Sequence, residues 1–171
     1  MIKEYTKKDS YKILNIINDA AIKYKGIIPD DCLNEPYMSE QELGEEFSNG
    51  VHMFGFELNN KVHMFGYSKN NKLIGVIGVQ EVKDVILIRH AYTLSLHQGK
   101  GVGSALLEYL LKKNKNSRLL VGTWKKATWA IRFYEKFGFI VHSKDETNLL
   151  LKKYWKIPSK QIDNSIVLEK A

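Results

Sequence analysis

A glycine-rich loop between an apolar strand and an amphipathic helix, within residues 88–111, most constrains what this chain can fold into. Glycine occupies every second position of the loop, at Gly99, Gly101 and Gly103. The helix that follows carries apolar residues at helical spacing, namely Val102, Ala105, Leu106, Tyr109 and Leu110. Free N–H groups and the positive dipole end at a helix start bind phosphate, and glycine lets a phosphate approach the backbone closely. The segment therefore predicts a site for a nucleotide-like ligand.

The spacing of the glycines narrows the choice of ligand. No stretch satisfies the GxxxxGK[ST] pattern of nucleotide-triphosphate loops. The dinucleotide pattern GxGxxG does not fit, because its third glycine position falls on Ser104 when the pattern starts at Gly99 and on Leu106 when it starts at Gly101. It also needs an acidic residue roughly 20 positions later, and residues 119–121 are apolar there. Both nucleotide-loop interpretations are therefore poor.

Two motifs resemble those of the GNAT superfamily, the general N-acetyltransferases. The loop Gln98-x-x-Gly101-x-Gly103 resembles the superfamily's acetyl-CoA pyrophosphate loop. A second run resembles the signature that follows this loop in the family, and its matching positions are Ala130, Phe133, Tyr134, Glu135, Lys136, Gly138 and Phe139. The two motifs occur in the family's order, and the resemblance covers about residues 73–141.

The resemblance implies a cofactor and a set of binding positions. It implies that acetyl-CoA is the co-substrate and that an acetyl group passes directly to a primary amine while both substrates are bound, without a metal ion. Backbone groups at the end of the preceding strand would hold the pantetheine arm and polarise the carbonyl, at Ala91, Tyr92 and Thr93. The pyrophosphate would bind at Gln98, Gly99, Lys100, Gly101, Val102, Gly103 and Ser104.

Catalytic side chains are harder to assign from the sequence. Tyr134 matches the position of the family's frequent general acid, although an amphipathic core tyrosine is the alternative. An asparagine that contacts the CoA arm in many relatives is replaced by Ala127, and a frequent glutamate maps near Gly122. The general base is left open among Glu81, Asp84, His90 and a water relay.

His90 illustrates the difficulty. Its imidazole has a suitable intrinsic pKa. Side chains of a strand alternate between faces, so Leu87 and Arg89 are expected on one face and His90 on the other. Relatives place a base on the face of Leu87 and Arg89, so His90 would need a β-bulge to reach it.

The remaining chain predicts one α/β domain over residues 1–171, with a mixed, mostly antiparallel central sheet flanked by helices on both faces. Strands are expected at 2–6, 51–58, 61–68, 73–81, 85–93, 118–123, 139–141 and 165–168. A first helix is expected from Asp9 or Ser10 to about Gly26, and a second over 40–47 after a Ser39–Glu42 capping box. A third helix is expected to follow the glycine loop, and a fourth to run from a Thr128 cap to Gly138. A fifth is expected over 143–155, with the leucines 149–151 on its apolar side.

The segment VHMFG occurs twice, at 51–55 and 62–66. We expect the two copies to form neighbouring antiparallel strands joined at Asn59 and Asn60. His52 and His63 occupy equivalent positions, but two histidines without a third ligand predict strand-face residues and no metal. Whether the duplication has a function is left open.

Composition excludes other classes of function. The formal net charge is +7, yet the lysines are scattered and only three arginines accompany them, so a nucleic-acid partner is not expected. The sequence shows no membrane span and no secretion signal, and Cys32 is its single cysteine. These features predict a cytoplasmic protein. The expected partner is a small-molecule or peptide amine, with a homodimer left open. Trp124, Trp129, Tyr154 and Trp155 could wall an acceptor pocket. A non-catalytic acyl-CoA sensor of the same fold is the alternative.

Overall fold

A computed structural model describes residues 1–48, 61–155 and 157–171. Within these residues one seven-stranded sheet has the order β1-β2-β3-β4-β5-β7-β6. Its strands are β1 (Ile2–Tyr5), β2 (His63–Lys69), β3 (Lys72–Val82), β4 (Val85–Thr93), β5 (Leu119–Trp124), β6 (Ile140–Val141) and β7 (Ser165–Lys170). The β4–β5 pair is parallel and the other pairs are antiparallel. The predicted mixed, mostly antiparallel sheet is confirmed.

Helices cover both faces of this sheet, as predicted. They are α1 (Ser10–Ala21), α2 (Glu40–Ser48), α3 (Val102–Lys113), α4 (Thr128–Glu135), α5 (Lys144–Tyr154) and α6 (Ser159–Asp163). Alternation along β4 separates the two faces: Ile86 and Ile88 pack in the cluster of α3 and α4, and Leu87 packs in the cluster of α5 and α6. α1 and α2 cover the same face as α5, further along the sheet.

The sequence located most helix starts, because the caps are local. The Ser39–Glu42 capping box forms as predicted, with 2.8 Å from the Ser39 N to the Glu42 Oε2 and 3.2 Å from the Glu42 N to the Ser39 Oγ. Ser143 caps α5 in the same way with Glu146. The predicted Thr128 cap is wrong. Thr128 is the first residue of α4, and the helix begins from a backbone turn in which the Ala127 N donates to the Trp124 O at 2.9 Å.

Two features near the carboxyl end differ from the prediction. Of the three leucines expected on the apolar side of α5, Leu151 is 1% exposed but Leu149 is 69% exposed, because consecutive helical residues point about 100° apart. α6 follows Pro158 and was not predicted, since its five residues are too few to show a helical period.

The second copy of VHMFG, residues 62–66, contains the start of β2. Both edges of β2 are occupied, one by β1 and the other by β3. The pairing partner expected for β2, residues 51–58, lies outside the described residues, as do His52, Asn59 and Asn60.

A β-bulge interrupts the pairing of β3 with β4. Val76 pairs with Tyr92 and Gly78 pairs with Arg89, so Ile77 lies opposite two residues, His90 and Ala91. The backbone of His90 has φ +50°. A bulge leaves its extra residue without a regular place in the ladder and redirects the side chains around it.

The strands β4 and β5 diverge just before this bulge. Ile86, Leu87 and Ile88 pair in parallel with residues 119–121 of β5. Beyond that point the end of β4 continues alongside β3, and residues 122–124 of β5 continue alongside β7. A gap therefore opens between the carboxyl ends of the two parallel strands, and both cavities described below border on it.

Candidate active site

The larger cavity lies between the end of β4 and the glycine loop, and encloses about 460 Å³. That volume is within the range of about 300–1,000 Å³ that is typical of ligand pockets. The cavity is lined by most of the predicted cofactor positions, namely Ala91, Tyr92, Thr93, Gln98, Gly99, Gly101, Val102, Gly103 and Ser104. Lys100 is the exception, because its Nζ turns back and donates to the Leu96 carbonyl at 2.8 Å.

The loop adopts a conformation that requires glycine. Gly99 has φ +71° and Gly101, the N-cap of α3, has φ +81°. An L side chain is strained at such φ values. The first turn of α3 carries no acidic residue, so its free N–H groups and its dipole present an uncompensated positive end. This is the local chemistry that a pyrophosphate requires.

Three basic side chains that the sequence analysis did not single out as ligand contacts also line this cavity. Lys23 lies just after α1, His97 just before the glycine loop and Lys136 just after α4. The Lys23 Nζ lies 4.5 Å from the centroid of the Trp129 ring. Lys136 belongs to the second motif, but no local signal marks Lys23, because α1 meets the loop only in the folded chain. Together these three basic side chains favour an anionic ligand.

Tyr134 lines the same cavity and is only 5% exposed. Its ring packs edge-on against Phe133 at 5.1 Å and Phe139 at 5.4 Å between centroids. Burial raises the pKa of Tyr134 well above its usual value, and the nearby Tyr24 raises it further. The side chain is thus both a core aromatic and a cavity wall, and its phenol keeps its proton throughout the neutral range.

A smaller cavity of about 110 Å³ lies on the other side of the gap. Its lining is mostly aromatic and aliphatic, with a few polar groups: Tyr24, Tyr37, Tyr92, Gly122, Thr123, Trp124, Leu151, Trp155, Ile157, Gln161 and Ser165. Tyr24 and Tyr92 line both cavities, which therefore adjoin. Of the four aromatic residues expected to wall a pocket, Trp124 and Trp155 do so here and Trp129 lines the larger cavity. Tyr154 instead donates its hydroxyl to Asp84 at 2.8 Å.

Three tyrosines cluster where the cavities adjoin. The rings of Tyr24 and Tyr37 lie 5.6 Å apart, and Tyr37 meets Tyr92 edge-on at 6.3 Å. The Nε1 of Trp124 donates to the Tyr37 hydroxyl at 3.3 Å. Burial raises the pKa of Tyr92 well above its usual value, and its neighbours Tyr24 and Tyr37 raise it further. The phenol of Tyr92 is therefore a neutral hydrogen-bonding group.

None of the candidate bases, all of which are among the described residues, lines either cavity. Glu81 pairs with Ile86, five positions before Ala91 along β4, or about 17 Å at the usual rise of a strand. Asp84 lies in the turn between β3 and β4, further from Ala91 than Glu81 is, and accepts a hydrogen bond from the Tyr154 hydroxyl.

His90 is re-aimed by the bulge, and the prediction that it faces away from Arg89 is wrong. Both side chains contact the Glu46 carboxylate, His90 at Oε2 and Arg89 at Oε1. The extra residue in β4 changes the alternation of side chains, as a bulge does. His90 thereby joins β4 to α2 rather than to a cavity.

Two positions where relatives carry polar side chains are small here. Ala127 is fully buried in a cluster with Ile28 and Trp124. Gly122 lines the smaller cavity, and a Cβ there would lie 3.5 Å from Trp155 and 3.6 Å from Leu151. The absence of a side chain at Gly122 thus gives the smaller cavity part of its space.

The described residues contain neither a metal-binding cluster nor a membrane-spanning helix. Across residues 1–48, 61–155 and 157–171, no group of three or more His, Cys, Asp or Glu side chains is arranged to hold a metal ion. His63 instead contacts Glu4, at 2.8 Å from Nδ1 to Oε1. No helix in the same part of the chain has the length and apolarity needed to cross a bilayer.

Comparison with known families agrees with this geometry. Residues 60–141, which include β2–β5, the glycine loop and the second motif, match the family model of the acetyltransferase (GNAT) domain. The chain carries a GNAT acetyltransferase domain. No curated protein sequence matches the chain significantly.

Solved structures share the fold of this GNAT chain. PaiA N-acetyltransferase of Thermoplasma acidophilum, crystallised with coenzyme A, aligns with a TM-score of 0.69 and 18% identity over 99% of this chain and 97% of that one. The ribosomal-protein-S18-alanine N-acetyltransferase of Escherichia coli gives 0.65 and 17% over 99% and 91%. An acetyltransferase of Streptococcus agalactiae gives 0.66 and 21% over 99% and 96%. At these identities the likeness concerns the fold.

Proposed function

We propose that this GNAT protein transfers an acetyl group from acetyl-CoA to a primary amine while both are bound. One observation carries the proposal: the glycine loop and Tyr134, which belong to separate motifs, line one cavity at the gap between β4 and β5. A second cavity adjoins it across Tyr24 and Tyr92. Two adjoining cavities suit a reaction in which the amine meets the thioester directly.

The residues of the larger cavity fit acetyl-CoA. The turn at Gly99 and Gly101 and the start of α3 would hold the pyrophosphate, while Lys23 and Lys136 offset its charge. Acetyl-CoA would supply the acetyl group as an activated thioester. The bulge in β4 frees backbone groups around Ala91 from the regular ladder, where they could hold the pantetheine arm and polarise the carbonyl. Preorganised backbone donors of this kind are worth about 3 kcal/mol.

The proton balance assigns Tyr134 a limited role. As the amine nitrogen bonds to the carbonyl carbon, the C–S bond breaks and its electron pair leaves on sulfur. The proton that the nitrogen loses ends on that sulfur, so the reaction consumes no acid overall. Because the pKa of Tyr134 is raised, its phenol is better suited to hydrogen-bond the departing thiolate than to give up its proton completely. A cytoplasmic location and an amine acceptor that is a small molecule or a peptide remain part of the proposal.

Calorimetry with acetyl-CoA and an assay of thiol release test the proposal together. Acetyl-CoA is expected to bind, and CoA thiol is expected to appear faster when amines, amino acids, peptides or polyamines are added. Binding without thiol release from any acceptor would favour the alternative, a non-catalytic acyl-CoA sensor. Absence of acetyl-CoA binding in the folded protein would overturn the proposal.

A further inference from the structure

The smaller cavity differs from the larger one in the chemistry of its walls. Aromatic rings from three separate parts of the chain, Tyr37, Trp124 and Trp155, surround it. The polar groups on the side chains that line it are hydroxyls, indole N–H groups and one amide. Among the described residues that line it there is no Asp, Glu, Lys, Arg or His. Such walls offer no charged partner to a carboxylate or to a second ammonium group.

This chemistry affects the protonation of a bound amine. Burial without an opposite charge disfavours the charged form of an amine and lowers its pKa. An alkylammonium ion that enters the cavity would therefore lose its proton to solvent more readily. The phenols of Tyr24 and Tyr92 stay neutral, since burial raises the pKa of both. A neutral phenol can accept a hydrogen bond from an amine N–H without removing the proton.

The size of the cavity limits the acceptor. Its volume is about 110 Å³, whereas an engineered apolar cavity of about 150 Å³ accommodates benzene. A short, unbranched aminoalkyl group fits this space, and an aromatic ring does not.

We infer that the smaller cavity binds the reacting end of the acceptor, and that the acceptor is an uncharged, unbranched alkyl primary amine that reacts as the free base. This inference rests on the proposed acetyl transfer and extends it to the class of acceptor. It also explains why the described residues that line the smaller cavity include no carboxylate and no imidazole, since His97 lies on the wall of the larger cavity. The cavity itself selects the unprotonated amine.

A matched set of amines tests the acceptor class with the full chain and saturating acetyl-CoA. n-Propylamine fits the cavity, 1,3-diaminopropane and β-alanine add a charge at similar length, and benzylamine adds a ring. We expect kcat/KM for n-propylamine to exceed each of the others by about tenfold or more. Equal or faster reaction of any of the other three would overturn the inference.

The dependence of kcat/KM on pH tests the free-base requirement. If no protein group removes the proton, kcat/KM rises with pH until the pKa of the amine itself. An amine of lower pKa but similar size, such as 2-methoxyethylamine, should shift this limb by the difference between the two amine pKa values. A limb that stays at one pH for both amines would reveal a titrating protein base and overturn this part of the inference.

Two variants change the cavity in opposite directions. Gly122→Val adds methyl groups toward Trp155 and should lower kcat/KM for n-propylamine relative to methylamine. Trp155→Leu widens the cavity and should raise the benzylamine to n-propylamine ratio by about tenfold. The ratios are informative even if absolute activity falls, and thermal melting reports whether each variant folds. Ratios that stay unchanged in both folded variants would overturn the assignment of the cavity.

Failure of this inference is distinguishable from failure of the proposed function. Acetyl-CoA binding in calorimetry with thiol release only from charged or aromatic amines would overturn the inference and leave acetyl transfer intact. Acetyl-CoA binding with no thiol release from any of the amines would overturn the inference and favour the sensor. No acetyl-CoA binding would overturn the proposed function itself.

Discussion

Arg89 donates a hydrogen bond from Nη2 to the Glu46 Oε1 across 3.0 Å, and this bond joins β4 to α2. His90 contacts the other oxygen of the same carboxylate. The side chains of His90 and Glu46 are only 10% and 12% exposed. Burial acts to raise the pKa of Glu46, but His90 and Arg89 more than offset it, so the pKa lies below the usual 4.5. Glu46 is therefore a buried, ionised group that depends on both partners.

Glu46→Gln should destabilise the fold by roughly 3 kcal/mol near neutral pH, since it leaves the partly buried Arg89 guanidinium without its counter-ion. Because the pKa of Glu46 is lowered in the fold, its contribution is present above about pH 4.5 and is lost as the pH falls through the folded pKa. The difference between the two proteins should therefore shrink in acid. Urea unfolding at neutral pH and below about pH 4 measures this change.

The neighbouring Glu45→Gln is the matched control for this experiment. Glu45 is exposed on the same helix and accepts a hydrogen bond from Gln41. Its loss should change the free energy of unfolding by no more than about 0.5 kcal/mol. Equal effects of Glu45→Gln and Glu46→Gln, or a Glu46→Gln deficit that persists undiminished in acid, would contradict the role given to the buried pair.

His90→Gln separates structure from catalysis in the same cluster. His90 does not line either cavity, so the variant should lose roughly 1–3 kcal/mol of stability and keep its turnover and the position of its pH limb. Steady-state kinetics over pH, with acetyl-CoA and the best amine found, provides the measurement. A rate loss of about 10² or more, together with disappearance of the pH limb in a folded protein, would make His90 the base.

The sequence predicted those parts of the site that depend on local structure. The glycine loop and the start of α3 follow from residues that are adjacent in the chain. The starts of α2 and α5 also follow from adjacent residues, because Ser39 and Ser143 cap these helices locally. From the sequence, a bulge could only be stated as the condition under which His90 would reach the face of Arg89. The bulge itself arises from the register of β4 against β3, which no local pattern determines.

Long-range contacts explain what the sequence could not provide. Lys23 reaches the larger cavity from the end of α1, and Tyr37 reaches the smaller one from a loop, so their roles depend on packing rather than spacing. β2 pairs with β1 across almost sixty intervening residues, a contact that no local pattern in the sequence marks. Gly122 has no side chain that could act as a base, and only the fold reveals the space that it leaves.

Gly101→Glu should abolish acetyl-CoA binding. It places bulk and a negative charge at the N-cap of α3, where the pyrophosphate is expected to bind. The positive φ of +81° at Gly101 adds a strain of about 1–2 kcal/mol for any L side chain. Gly101→Ala carries the same strain without the charge. Calorimetry should therefore show weakened binding for Gly101→Ala and none for Gly101→Glu, and equal affinities in two folded variants would exclude this loop as the anion site.

Tyr134→Phe removes one hydroxyl and keeps the ring that packs against Phe133 and Phe139. If the phenol hydrogen-bonds the departing thiolate, kcat should fall by about 10²-fold or more, while acetyl-CoA affinity and thermal stability change little. The raised pKa of Tyr134 further predicts that this hydroxyl produces no loss of activity from its own ionisation at or below about pH 10.

Tyr109→Phe provides the comparison that isolates the phenol at Tyr134. Tyr109 packs against Phe65 at 5.3 Å between ring centroids, on a part of α3 that does not line either cavity. Its loss of a hydroxyl should leave kcat unchanged. Full turnover of Tyr134→Phe, with a stability loss larger than that of Tyr109→Phe, would show that Tyr134 acts as a core residue. The thiolate would then receive its hydrogen bond from water or from a backbone group near Ala91 instead.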